Sequence, residues 1–411
     1  MRPTNISTSP LALQTNTGWF NRRLLALLHS KFDKRIKGRL LIELPNKQLL
    51  EFGEHESNGY QGHIRLKSFR ALKRLVRGGT IGFAEGYMDG DWSSSDEVAL
   101  MRWALHNEAL IKDLLNGSPL LRFINRLFHL GKANSKRGSR KNISYHYDLG
   151  NEFYATWLDR TFTYSSALFN SPDDSLEQAQ LNKYRRICEM IDLKPGQSVL
   201  EVGCGWGGFA ELAAREYGAN VYGITLSKEQ LAFAESRIKN AGLEQQVTLE
   251  LIDYRDVEGS FDHIVSIEMF EAVGEENWPT YFEMLKARLK PEGRAVLQII
   301  SIDNKRFDAY RKRTDFIQRY IFPGGMLPSP QRLSEEIRLA DLRLDEEQLF
   351  GQDYAKTLHI WREQFENAWP SVHKQGFDER FKRMWIFYLT YCEAGFAEES
   401  IDVGLYSIRH E

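Results

Sequence analysis

Hydrophobic and polar positions between residues 198 and 300 repeat in one rhythm: a short apolar run, a polar turn, then apolar residues at helical spacing. The run Val199–Val202 contains Glu201 and ends in Gly203, Gly205 and Gly207, after which Phe209–Tyr217 has a helical period. This pattern predicts a strand, a tight glycine turn and a helix. The same rhythm predicts strands over 220–224, 247–252, 261–267 and 293–300, with helices over 227–240 and 277–289. Such alternation builds an α/β fold, a parallel sheet with helices on both faces and ligands at the carboxyl ends of its strands. The stretch Lys305–Tyr320 is long, charged and aromatic, and 321–329 breaks it with Pro323, Gly324, Gly325 and Pro328. An insertion at that point in the strand order is where a lid would sit.

The upstream pattern differs. Residues 38–44 and 48–53 alternate around Pro45-Asn46 and predict a hairpin, with 62–67 as a third strand. Trp19–Phe32 carries apolar residues at helical spacing, which suits either a core helix or one lying at a bilayer interface. Gly131–Asn142 holds five basic residues with no acid and no apolar run, and reads as a linker. The expected organisation is a smaller α+β domain over 1–130, the linker over 131–142, and an α/β domain over 143–411.

Charge sharpens that division. Residues 1–141 carry 24 Lys+Arg against 12 Asp+Glu, or +12, and the rest carry 30 against 44, or -14, which together return the net -2. A basic segment seeks an anionic surface or the acidic face of its neighbour. From His63 to Gly79 there are six Lys/Arg and no acid, a solvated face or a seat for an anionic lipid head group. The three cysteines, Cys188, Cys204 and Cys392, show no metal spacing and no disulfide framework, which suits a reducing compartment. Leu24–Leu28 is too short to span a bilayer, and no signal-peptide cleavage pattern follows it. The expectation is a cytoplasmic protein, free or on a membrane surface, with no metal.

The glycine turn admits two cofactor classes, dinucleotides and S-adenosylmethionine (SAM). Gly208 completes a G-x-G-x-x-G spacing, so spacing alone leaves both open. Glu201 would repel a pyrophosphate and welcome a sulfonium with an α-amino group. The second strand ends at Thr225, with Gln230 beyond it, rather than in the acid that holds a ribose in dehydrogenases. Asp253-Tyr254 at the third strand end would hold and stack an adenine, unless Asp253 is an ordinary strand-end acid. The fourth runs out through Ser266–Val273, with Glu268 and Glu271 at helix-turn spacing. It lacks the Asn/Asp-Pro-Pro-aromatic sequence expected for methylation of nucleic-acid amines. With the acidic balance of this half, that argues against a nucleic-acid partner.

Four segments together resemble the cyclopropane-fatty-acyl-phospholipid synthase family of SAM-dependent fatty-acyl methyltransferases, which includes the mycolic acid cyclopropane synthases. They are Tyr145–Asp159, Thr163–Phe169, Val265–Gly274 and Tyr320–Ser329. The resemblance extends through Asp353–Leu358, Trp361 and Phe381–Trp385, and more loosely to Gly82–Trp92. It implies a Rossmann-like class I methyltransferase domain, with a mixed but mostly parallel sheet and a helical lid insertion. The SAM methionine end would meet Tyr164, Ser165 and Gly203. Gly205, Thr225 and Gln230 would follow the nucleoside, with Asp253 and Tyr254 at the adenine. It further implies methyl transfer to the double bond of an unsaturated acyl chain in membrane phospholipid, on the inner face of the membrane. Phe169, Phe270, Tyr320, Phe322 and Tyr354 would be pocket walls or simple core.

Family members use a bound bicarbonate as base. Here Glu271, Tyr354 and the Ile300 backbone match its ligand positions, while Ser166 replaces a cysteine, Ala272 a histidine and Gln298 a ligand histidine. Ser and Gln still hydrogen-bond an oxyanion, so bicarbonate held by Ser166, Glu271, Gln298 and Tyr354 is the expectation. Without the imidazole the product stays open between a cyclopropane and a methyl-branched or methylene chain. A non-catalytic lipid-binding protein on the same fold is the rival class. A soluble small-molecule methyltransferase is a third reading, and the oligomeric state, a homodimer included, is open.

Overall fold

The structure, a computed structural model, describes residues 36–53, 59–114 and 149–411. The helix expected over Trp19–Phe32, the linker over 131–142 and the resembling residues 145–148 lie outside the described residues. The protein divides into two compact units, one of Met1–Ile124 with Phe377–Glu398 and one of Asn125–Gly376 with Glu399–Glu411.

In the first unit, strands β1 (Arg39–Glu43), β2 (Leu49–Gly53), β3 (Gln61–Leu66) and β4 (Trp92–Ser93) form a sheet in the order β2-β1-β3-β4. The hairpin β1–β2 and the third strand fall where alternation places them, with Leu40, Ile42, Leu50 and Phe52 buried. Helices Arg70–Met88 and Glu97–His106 follow. Helix Glu379–Ala397 also belongs here, although the sequence pattern places it within 143–411. Its buried face of Trp385, Ile386, Leu389 and Phe396 packs on those two helices, and Arg380 reaches Asp89 at 2.9 Å. The backbone returns to the other unit afterwards, so one boundary in sequence does not describe the division. The basic run is partly neutralised: Arg65 pairs with Glu43, and Arg70 and Arg74 with Asp91 and Asp89.

In the second unit, β5 (Ser198–Val202), β6 (Asn220–Thr225), β7 (Val247–Leu251), β8 (Phe261–Ile267), β9 (Leu289–Ile302), β10 (Leu342–Leu349) and β11 (Ile401–His410) form one sheet. Its order is β10-β11-β9-β8-β5-β6-β7. All pairs from β9 to β7 are parallel, and β11 is antiparallel to both its neighbours, so the sheet is mixed but mostly parallel. β5 has β6 on one side and β8 on the other, so the strand order reverses beside it, and its carboxyl end opens the crevice where such sheets bind ligands. The core is apolar on both faces: Leu200, Val202, Ile264, Leu285, Leu297 and Ile299 are buried. The insertion between β9 and β10 contains helix Asn304–Tyr310, a wide turn Ile317–Ile321 and helix Pro330–Leu339.

Candidate active site

The glycine turn follows β5 with Gly203, Gly205 and Gly207 all in the left-handed region (φ 87°, 52° and 81°). A Cβ on Gly203 would come within 2.9 Å of Met269 Cγ, whereas one on Gly205 would meet no protein atom within 4 Å. The protein closes one side of the turn and leaves the other for a ligand. Beside it lies a cavity lined by Tyr164, Ser165, Glu201, Thr225, Gln230 and Tyr254, among others. Glu201 is 3% exposed, and its Oε2 is buried without a partner. Burial pushes its pKa up to about 8 against the pull of Arg237 and the Ala210 amide. An orphaned carboxylate oxygen in a polar cavity awaits a donor or a cation.

Two further strand ends complete that wall. Thr225 Oγ1 donates to Gln230 Oε1 at 2.9 Å, and the Ser227 amide donates to Thr225 Oγ1 at 3.1 Å while its hydroxyl caps the following helix. Tyr254 is 8% exposed, with its ring edge-on to Tyr281 and its hydroxyl buried without a partner. Asp253 departs from expectation. Its carboxylate takes two bonds of 2.7 Å from Arg255 and one from the Arg255 amide, and it is not among the cavity-lining residues. The adjacent guanidinium satisfies it locally.

The loop 161–168 forms the opposite wall, gripped by helix Leu176–Met190. Gln180 donates to the Ser165 carbonyl at 2.8 Å, and Lys183 Nζ donates to Ser165 Oγ at 2.6 Å and to the Ser166 carbonyl at 2.7 Å. Lys183 is wholly buried, and desolvation brings its pKa down to about 7 while Glu268 and Asp159 hold it up. Tyr164 sits in an aromatic cluster, with ring centroids of Tyr154, Trp157 and Trp361 at 5.3, 5.7 and 5.2 Å.

Ser166, Gln298 and Tyr354 do converge, but on a residue that sequence reasoning left without a role. Glu268 Oε1 accepts the Ser166 amide at 2.8 Å and the Gln298 side-chain amide at 2.6 Å, and Oε2 accepts the Tyr354 hydroxyl at 2.7 Å. The Ser166 hydroxyl turns away to the Ala167 carbonyl, so that position acts through its backbone. Glu271 stands apart from the three. Its Oε1 accepts the Ile300 amide at 2.5 Å, its Oε2 is buried and unpartnered, and burial with the nearby Glu268 charge raises its pKa to about 8. Burial also raises the Glu268 pKa, opposed by Lys183 and by its hydrogen-bond donors. Of the four positions expected to ring a bicarbonate, Ser166, Gln298 and Tyr354 donate to Glu268 in this structure, and Glu271 instead accepts the Ile300 amide.

The expected pocket walls also change. Phe270 is 1% exposed and packs on Trp278, Tyr281 and Phe282 in the core. Phe169 lies beneath the Lys356 ammonium, 3.9 Å from its centroid, with its amide on Asp353. Tyr320 and Phe322 belong to the wide turn at 317–322, where Tyr320 meets Phe316 and Arg319. None of these four lines the cavity beside the glycine turn. Glu268 and Lys183 were the residues missed. Glu268 carried a signal, a second acid three residues from Glu271 at a strand end, but its left-handed φ of 48° leaves no mark in the sequence.

Comparisons with known proteins point to one family. The family model described as mycolic acid cyclopropane synthetase matches residues 134–405. A tuberculostearic acid methyltransferase of Mycobacterium tuberculosis is 39% identical over 349 residues, 82% of this protein and 81% of the relative. A cyclopropane-fatty-acyl-phospholipid synthase of Escherichia coli is 37% identical over 372 residues, 88% of this protein and 91% of the relative. A crystal structure of a mycolic acid cyclopropane synthase complexed with SAH and CTAB superposes with a TM-score of 0.62 at 30% identity, covering 66% of this protein and 97% of that one.

Proposed function

The protein belongs to the mycolic acid cyclopropane synthetase family, and from that premise we propose that it methylates carbon at the double bond of unsaturated acyl chains in membrane phospholipid. It is a SAM-dependent methyltransferase by family. Bound in the cavity beside the glycine turn, SAM would supply an electrophilic methyl on a sulfonium. The residues present fit it. The orphaned Glu201 oxygen offers a partner for its ammonium or ribose hydroxyl groups, the open side of Gly205 gives room for close approach, and Thr225, Gln230 and Tyr254 line the remainder. Tyr164 and Ser165 also line the cavity.

An alkene is a weak nucleophile, so the site must align it and exclude water. Tyr164, which lines the cavity and is held by the buried rings of Tyr154, Trp157 and Trp361, would offer a π-face to the positive charge that grows on the acyl group after methyl transfer. The observation that carries the reading is that the glycine turn with its orphaned Glu201 and the strand-end residue Glu268 line one cavity. No helix among the described residues is long and apolar enough to cross a membrane, so lipid would be met at a surface. The +12 balance of residues 1–141 supports an anionic membrane surface as that partner, from the cytoplasmic side.

The test is expression in a bacterial host lacking its own acyl-group methylation, fed methyl-deuterated methionine, with mass spectrometry of membrane fatty acids. Labelled fatty acids one carbon heavier are expected. A product that has lost one deuterium has surrendered a proton from the new methyl, and chromatography separates a ring from a methylene branch. A host membrane with no labelled fatty acid would refute the reading.

A further inference from the structure

Lys183 is a buried cation held on neutral oxygens. The helix Leu176–Met190 starts at a capped turn, where Ser175 Oγ accepts the Gln178 amide at 3.1 Å, and it buries Gln180, Lys183 and Tyr184. Residues three and four apart share a helix face, and this face grips the chain from 163 to 166. Gln180 takes the Ser165 carbonyl, and the Tyr184 hydroxyl meets Thr163 Oγ1 at 2.7 Å. Lys183 Nζ donates to Ser165 Oγ at 2.6 Å and to the Ser166 carbonyl at 2.7 Å. Two neutral acceptors do not call for a charge, since a neutral donor would hold them without the cost of desolvating an ammonium. Burial works against the charge, and among the described residues Glu268 and Asp159 sustain it from beyond hydrogen-bond contact. Glu268 has direct donors of its own in the Ser166 amide, Gln298 and Tyr354.

The serine that Lys183 grips is a wall of the cavity beside the glycine turn. A hydroxyl has one donor and two acceptor sites, and an ammonium has donors alone. Lys183 therefore fills an acceptor site of Ser165 Oγ and leaves the O–H to donate elsewhere. A hydroxyl that must donate, polarised by an ammonium in contact with it, suits an anion. The methionine end of SAM carries both an α-carboxylate and an α-ammonium. Glu201, whose Oε2 is buried without a partner, gives the same cavity an opposite pole. We propose that Lys183 is a positioning residue for SAM, acting through Ser165 to draw the carboxylate of the methionine end to that wall and leaving the ammonium to the side of Glu201. The inference rests on the SAM cavity of the proposed function and not on which acceptor takes the methyl. Lys183 is not among the cavity-lining residues, so it works by orienting a hydroxyl and by its field. Glu268 meets this loop at the Ser166 amide, whereas the ammonium touches Ser165 Oγ, so at that hydroxyl the positive charge prevails.

The experiment measures, by calorimetry on the purified protein, its affinity for SAM and for decarboxylated SAM, which keeps the sulfonium and the amine and lacks the carboxylate. Wild type should prefer SAM by about 10–100-fold, the range of a charged hydrogen bond. Lys183→Met, similar in length and uncharged, should bind decarboxylated SAM within about threefold of wild type while its preference for SAM falls to about threefold or less. Comparing that preference between proteins cancels the titration of the ligands themselves. A side chain that merely props the loop would weaken both ligands alike. Equal losses for the two ligands, or a preference in Lys183→Met as large as in wild type, overturn the inference, as does a wild type that does not distinguish the ligands. If Lys183→Met shows no cooperative thermal transition, Ser165→Ala decides, because it keeps the helix and the ammonium and removes the hydroxyl between them and the ligand. Its preference should fall by about fivefold or more, and an unchanged preference overturns the inference. None of these measurements needs turnover. Wild type that shows the preference but methylates no vesicle of dioleoyl phosphatidylglycerol refutes the acyl-group reading alone and leaves the role of Lys183 supported.

Discussion

Replacing Glu201 with Gln should change how SAM binding depends on pH, and by an amount the cavity sets. Burial lifts the Glu201 pKa to about 8 in the free protein, and Oε2 has no partner to oppose it. A cationic ligand beside that oxygen favours the ionised form. At pH 7 only about one-tenth of a group with that pKa is ionised, so ionising it for binding costs about 1.4 kcal/mol, or tenfold in affinity, and at pH 6 about a hundredfold. The α-amino group of SAM titrates in the same range, near 7.7–8.0, so the useful quantity is the ratio of wild-type to Glu201→Gln affinity, in which the ligand's own titration cancels. That ratio should rise about tenfold per pH unit from 6 towards 8 and then flatten. Above pH 8 it should reach about 10–100, the range of a charged hydrogen bond worth about 1.5–3 kcal/mol. Calorimetry in buffers of different ionisation enthalpy should show wild type releasing nearly one more proton per SAM at pH 7 than the variant. The sign for stability follows. The folded pKa lies above the unfolded value of 4.5, so the native state binds more protons between pH 4.5 and 8, and this group makes the ligand-free protein less stable as pH rises through that window. A ratio that stays flat from pH 6 to 9, or equal proton release by both proteins, would refute the reasoning.

Three other perturbations separate the turn, the core and the amino end of a central strand. Gly205→Val places a branched side chain at φ 52°, in a direction the protein leaves open, and should weaken SAM binding more than tenfold while costing about 1–2 kcal/mol of backbone strain; unchanged calorimetric affinity would remove Gly205 from the site. Phe270→Ala should lower stability by about 3–5 kcal/mol in denaturant unfolding, as expected for a ring packed among three others; a small loss of stability with a large rise in KM for lipid would instead make it a pocket wall. Asp262 is partly buried, which opposes ionisation, but Lys290 and the Ser198 amide and hydroxyl pull its pKa down to about 2. Its folded pKa lies below the unfolded 3.8, so its contribution, about 1–2 kcal/mol after allowance for exposure, is present above pH 4 and lost as pH falls through 2. Asp262→Asn should therefore destabilise at pH 7 and make no difference near pH 2.

The α/β rhythm was legible because β5, β6 and β8 are buried on both faces, so each is a short apolar run between turns. The last two strands escaped that reading for opposite reasons. β10 is Leu-Arg-Leu-Asp-Glu-Glu-Gln-Leu, exposed along most of its length at the sheet edge, so its charges hide the strand. β11 follows helix Glu379–Ala397, whose departure to the first unit interrupts the domain in sequence. Phe270 shows a different limit. Its neighbours Met269 and Ala272 line the cavity while Phe270 itself faces Trp278, because the single turn 270–272 sends adjacent side chains to opposite sides. Asp253 shows that a polar residue at a strand end meets its nearest donor first, here Arg255 two residues on.

Two half-buried carboxylates three residues apart do not ionise alike, and the site resolves the conflict by giving them unequal partners. Glu268 has three donors and the Lys183 ammonium in its field; Glu271 has one backbone amide, one unpartnered oxygen, and the repulsion of Glu268. The charge therefore settles on Glu268, and Glu271 is held neutral up to about pH 8. A neutral Glu271 has a hydroxyl to donate, which an anion-binding role in a second position would require, whereas an ionised one would repel any anion. The same asymmetry explains why Gln298 suits this site. An uncharged amide donates to Glu268 at 2.6 Å and adds no second cation beside Lys183. An imidazolium there would place a second cation beside Glu268 and lower its pKa further. With the cation already supplied by the helix bearing Lys183, a neutral donor at position 298 keeps the carboxylate ionised.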